Sequence, residues 1–129
     1  MRIYVLALNE VFDSGLTTLL DTFGTANDLA ESAGTTSARF DVTLVGVGSR
    51  VYTHHGLSVP VRSAARLARP DVALVPALAA TMPDTLRMAL DRRDIGAAHA
   101  LLRRWSGSGA LVGAACTGTF VLAGTSLLN

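Results

Sequence analysis

Apolar positions along the chain fall into two kinds of run. Short continuous runs predict strands buried on both faces, and runs spaced three or four apart predict amphipathic helices. Ile3-Tyr4-Val5-Leu6-Ala7-Leu8 is continuous and partly β-branched, and predicts a first buried strand. Asp13 or Ser14 then stands where a helix cap belongs. Leu16, Leu19, Leu20, Phe23 and Asn27 follow at helical spacing, with Ala26 and Leu29 extending the apolar face. Gly34 is placed to end that helix. Phe40 to Val47 predicts a second strand, and Arg50 to Val61 two short extended pieces around His55-Gly56, a hairpin. Ser63 to Ala68 reads as a short helix or turn stopped by Pro70.

The second half repeats the alternation. Val72 to Val75 predicts a third buried strand, closed by Pro76. Thr81-Met82-Pro83-Asp84 has the proline and the acid of a helix start, and that helix runs to about Asp91. Another begins near Asp94, with Ile95, Ala98, Leu102 and Trp105 as its apolar stripe. Gly107-Ser108-Gly109 breaks it. Ala110 to Ala115 predicts a fourth buried strand, Cys116 a sharp turn, and Thr117 to Leu127 a last helix. Strands alternating with helices predict a mostly parallel sheet with helices on both faces, an α/β fold. Ligands in such sheets bind beyond the carboxyl ends of the strands. Asn9 to Gly15, Pro76 to Ala80 and Cys116 to Gly118 should converge there.

Composition narrows the class. With 50% hydrophobic and 16% charged residues in 129, the chain is a folding sequence of one-domain size. A net charge of +1 gives no electrostatic case for nucleic acid or an acidic partner. A single cysteine excludes an intrachain disulfide framework and a cysteine-based zinc site, and fits a reducing compartment. No signal peptide is expected, because Asn9 and Glu10 end the first apolar run too early. The stretch from Trp105 to Asn129 carries no charge and is long enough to span a membrane. Its glycines, serines and threonines point instead to a buried strand followed by a buried helix.

Chemistry concentrates at Cys116. Ala114-Ala115-Cys116-Thr117-Gly118 has the spacing small-x-nucleophile-x-Gly of a nucleophile elbow between strand and helix. The helix start behind the sulfur would favour thiolate. The same residues also suit a buried, inert cysteine, and spacing alone does not choose. A nucleophile needs a base. His54 and His55 are adjacent, so an extended segment turns them to opposite sides and they cannot share a metal. They read as ordinary loop histidines, and His99 as a surface or half-buried helix residue. Asp13 either lines the pocket or caps the helix, the cap being the plainer reading. Arg87, Arg92, Arg93, Arg103 and Arg104 interleave with Asp84, Asp91 and Asp94 as a solvated face with local ion pairs. There is no Gly-rich phosphate loop and no basic stripe with aromatics for nucleic acid in the sequence.

With the elbow placed, the chain resembles the DJ-1/PfpI superfamily, related to class I glutamine amidotransferases. Within it, the chain resembles the N-terminal domain of AraC-type transcriptional regulators. The resemblance rests on Val11 to Asn27, Asp71 to Leu78, and Leu101 to Asn129, the last being the most specific. It spans nearly the whole chain. It implies a flavodoxin-like, three-layer α/β/α sandwich, often dimeric. In the superfamily's enzymes the elbow cysteine works with an acid from the first strand-helix loop, and often with a later histidine. Cys116 matches the cysteine, but Gly15 falls at the acid position, with Asp13 and Ser14 offset. Ala77 and Ala79 stand where glycines of the oxyanion loop are usual. The histidine-bearing segment would lie after Asn129. The resemblance therefore implies residues 1–129 as a partial regulatory domain, incomplete relative to the family. An unpaired sheet edge and exposed apolar surface are expected of it.

The expectation is a cytoplasmic, homodimeric, non-catalytic sensing domain with no cofactor and no metal. Its pocket for a small-molecule effector would be formed by Asp13, Ser14, Gly15, Pro76, Ala77, Leu78, Cys116, Thr117 and Gly118. DNA would be read only through a helix-turn-helix domain not present in these residues. The alternative is a small cysteine-dependent enzyme, an amidase, isonitrile hydratase or glyoxalase-like protein, with Cys116 as nucleophile and Asp13 as a displaced acid.

Overall fold

The computed structural model describes residues 1–35 and 39–128. Residues 36–38 and 129 lie outside the described residues, and with them the last residue of the predicted domain. The chain begins with β1 (Arg2–Leu6) and α1 (Asp13–Ser32), followed by β2 (Asp41–Gly46). The hairpin strands β3 (Arg50–Tyr52) and β4 (Ser58–Pro60), the two-residue β5 (Arg62–Ser63) and a 3-10 turn (Ala64–Arg66) come next. Then follow β6 (Val72–Val75), α2 (Pro83–Leu90), α3 (Arg93–Gly107), β7 (Leu111–Ala114) and α4 (Gly118–Ala123).

The main sheet has the order β5-β2-β1-β6-β7, and every pairing in it is parallel. β3 and β4 pair antiparallel as a separate hairpin. Side chains along β1 alternate between two cores, as the pleat requires. Tyr4, Leu6 and Leu8 join the core under α3 and α4, with Ile95, Ala98, Leu102, Trp105 and Val121. Val5 and Ala7 join Leu16 of α1 and Val51 of the hairpin on the other face. The sheet is thus flanked on both faces, the arrangement expected for a flavodoxin-like α/β sandwich. Chain order reverses at β1, whose neighbours are β2 on one side and β6 on the other. Such a switch point opens a crevice at the carboxyl ends of the strands.

Several local expectations need correction. Neither Asp13 nor Ser14 caps α1; the cap position is Phe12, with no side-chain cap bond. The entry is fixed by backbone instead, the Phe12 N–H donating to the Ala77 carbonyl at 2.8 Å. Leu29 does not extend the packed face of α1 and is 66% exposed. Asn27 pins the far end of that helix, its amide both accepting from the Phe40 N–H and donating to the Phe40 carbonyl at 2.8 Å. Gly34 does close the helix, with φ 72° and its N–H on the Glu31 carbonyl.

β7 is not buried on both faces. It is an edge strand, and Leu111 is 72% exposed. The last helix ends at Ala123 rather than near Leu127. Gly124 follows it with the His99 ring pressed where a side chain would be, and Ser126 turns left-handed at φ 65°. β5 was not expected at all; it pairs only Arg62 and Ser63 with Val45 and Gly46.

Candidate functional site

The sequence Val72–Val75 followed by proline ends β6 and sends Ala77 and Leu78 out over the sheet. The sequence Leu111–Ala114 does the same for Ala115 to Thr117 beside it. The two ends are tied together. The Ala115 N–H donates to the Val75 carbonyl at 3.0 Å, and the Thr117 hydroxyl to the Leu78 carbonyl at 2.6 Å. Val11, after β1, bridges to Leu78 on one side and Thr53 on the other. Three strand ends therefore meet around one opening.

Cys116 forms the turn there. Its φ is 51°, a left-handed conformation that a side chain takes only at a cost. Glycine at 118 is required by close approach, since a methyl group there would stand 2.5 Å from the Val75 carbonyl oxygen. The elbow geometry predicted from spacing is thus present, and the thiol is free and exposed rather than buried.

The thiol opens on a cavity of about 490 Å³ lined by Phe12, Ser14, Gly15, Thr18, Leu19, Ala77, Leu78, Thr81, Ala115, Cys116 and Thr117. Of the nine residues expected there, Ser14, Gly15, Ala77, Leu78, Cys116 and Thr117 line it. Asp13, Pro76 and Gly118 stand beside it without lining it. Phe12, Thr81 and Ala115 were missed, and so were Thr18 and Leu19. The last two lie one helical turn beyond Ser14 and Gly15, so the same periodicity that placed α1 could have added them.

No histidine or carboxylate belongs to this lining among the described residues. Asp13 turns to the hairpin, where its carboxylate accepts from the His55 N–H at 3.2 Å. The Thr53 hydroxyl beside it, and then that amide, hold Asp13 below the usual carboxylate range against an opposing effect of burial. His54 faces Glu10, its Nδ1 3.2 Å from Glu10 Oε2. His99 is half-buried between α3 and α4. Of the arginine face, Arg92 makes a local pair with Asp94, Nε to Oδ1 at 2.9 Å. No group of three or more metal-ligating side chains converges among the described residues, and none of their helices is long and apolar enough to cross a membrane.

No family model and no curated protein matches the sequence. Solved structures do match it. An AraC family transcriptional regulator from Pseudomonas putida superposes with a TM-score of 0.73 at 20% identity, over 98% of this chain and 62% of that one. A DJ-1 superfamily protein from Agrobacterium tumefaciens gives 0.64 at 20% identity, over 100% and 60%. DJ-1beta of Drosophila melanogaster gives 0.64 at 19% identity, over 97% and 60%. The chain spans about three-fifths of the length of these proteins. It has their fold, the DJ-1/PfpI-type α/β sandwich.

Proposed function

We propose that the chain is the ligand-sensing and dimerising domain of a cytoplasmic AraC-type transcriptional regulator, working without catalysis at Cys116. One observation carries this reading. The elbow is built in full, yet the cavity it opens on has an apolar lining with no acid or base beside the sulfur among the described residues. A nucleophile without a proton acceptor is a poor catalyst, while an apolar cavity with a few hydroxyls suits a small metabolite. The fold shared with the Pseudomonas regulator supports the regulatory part. DNA contact would fall to a helix-turn-helix module.

A thermal-shift screen against small metabolites tests it. Binding should raise the melting temperature, and Thr18→Trp, which fills the cavity from α1, should abolish that rise. The second reading, a cysteine-dependent enzyme, draws on the exposed thiol at a strained turn. Turnover of an amide, an isonitrile or a 2-oxoaldehyde that disappears in Cys116→Ala would replace the sensing reading with that one.

A further inference from the structure

No acid, arginine or histidine is among the eleven residues that line the cavity at Cys116. The charged side chains nearest in sequence are committed elsewhere. Asp13 accepts from the His55 N–H, and Glu10 lies against His54. An ion that left water here would meet no opposite charge, and dehydrating an ion without one is costly. The wall offers uncovered apolar surface instead. Phe12 is 43% exposed, and Leu19, Ala77, Leu78 and Ala115 line the cavity with it.

The polar part of the wall is made of hydroxyls. Thr117 gives its proton to the Leu78 carbonyl at 2.6 Å. Thr17 and Thr22, on α1 but outside the lining, return theirs to carbonyls of their own helix. Ser14 and Thr18 do line the cavity, and their hydroxyls bond to nothing among the described residues. Being four apart, they stand on one face of α1, about 5–6 Å from each other at Cβ. An alcohol oxygen fits between two such hydroxyls, accepting from one and donating to the other.

We propose, on the reading that this cavity is the sensing site, that its ligand is an uncharged alcohol. The ligand's hydroxyl bridges Ser14 and Thr18, and its apolar body lies against Phe12, Leu19 and Leu78.

The test titrates the folded chain with benzyl alcohol, sodium benzoate and benzylammonium chloride, which share one ring and differ in charge. It follows the Leu19 and Leu78 methyl signals by NMR. Benzyl alcohol should move them saturably, and the two ions should bind at least about tenfold more weakly. Thr18→Val should weaken benzyl alcohol about threefold to tenfold, the worth of one hydrogen bond. Thr25→Val, on α1 but outside the lining, should leave its binding as it was. Ser14→Asp adds a carboxylate in the first turn of α1, where an acid suits the helix start. It should make benzylammonium the tightest of the three. Cys116→Ser should keep the wild-type order, because the thiol does not set it. An ion bound by the wild type as tightly as benzyl alcohol, an unaffected Thr18→Val, the opposite ranking in Ser14→Asp or Cys116→Ser, or no saturable shift with benzyl alcohol would each overturn the proposal. The sensing reading fails separately, when no metabolite of any charge raises the melting temperature.

Discussion

Cys116 and Gly118 act as one mechanical unit. The turn that exposes the sulfur needs the next helix to start hard against the end of β6, and only hydrogen at position 118 permits that. A methyl group there would meet two backbone oxygens, Val75 at 2.5 Å and Pro76 at 2.6 Å, neither of which can rotate away. Gly118→Ala should therefore cost about 2–3 kcal/mol in urea denaturation. It should also change the alkylation rate of Cys116, because the helix start behind the sulfur must shift. Gly24, inside α1 with nothing within 4 Å of such a methyl, gives the contrast. Gly24→Ala should stabilise by about 0.5–1 kcal/mol through helix propensity alone. The need for glycine at 118 was legible in the spacing after Cys116. The exposure of the thiol was not, because it depends on what the loops after β1 and β6 leave uncovered.

At the scale of elements, the contact between α3 and α4 carries a titratable group. The His99 ring occupies the space where a side chain at Gly124 would sit, its Cε1 2.6 Å from that position. Burial there lowers the His99 pKa below its ordinary value. The Val121 carbonyl opposes the shift and the Arg103 charge adds to it. The folded chain thus binds its proton less readily than the unfolded chain. The stability this gives is complete above the ordinary histidine pKa of about 6.5 and is lost as pH falls through the folded value. Melting temperature should fall between about pH 7.5 and about pH 5.5, and less steeply in His99→Gln. Equal slopes in the two proteins would remove His99 from the account. Asp13, also held low, acts in the same direction but in the carboxylate range, well below this window. The stripe Ile95, Ala98, Leu102 and Trp105 that packs α3 was legible, since burial with the helical period is written into the residue order. The ends were less so. α4 stops where His99 meets Gly124, and α1 starts where Phe12 bonds to Ala77, contacts between segments distant in sequence.

The whole molecule is covered unevenly. α1 and the hairpin close the β1 and β2 half of one sheet face, through Leu16, Val51 and Val61. On the same face, Leu74 sits beside Val5 and Gly113 beside Leu74, two register positions from Leu111 beside Val72. Val72, Leu74 and Gly113 are only half-buried there, and Leu111 is exposed. The runs at Val72–Val75 and Leu111–Ala114 look alike as sequence; their burial differs because β7 lies at the edge of the sheet, and strand order is not written in either run. An open edge beside exposed apolar side chains is a template for association. The sedimentation coefficient of the chain should therefore rise with concentration, and Leu111→Lys should flatten that rise. The same substitution should change folding stability by no more than about 0.5 kcal/mol, because the side chain it replaces already faces solvent. That pairing of outcomes matters, because a variant that both unfolds and dissociates would say nothing about the face. If Leu111→Lys folds normally and associates as strongly as before, the self-association of these residues runs through a surface other than the β7 edge.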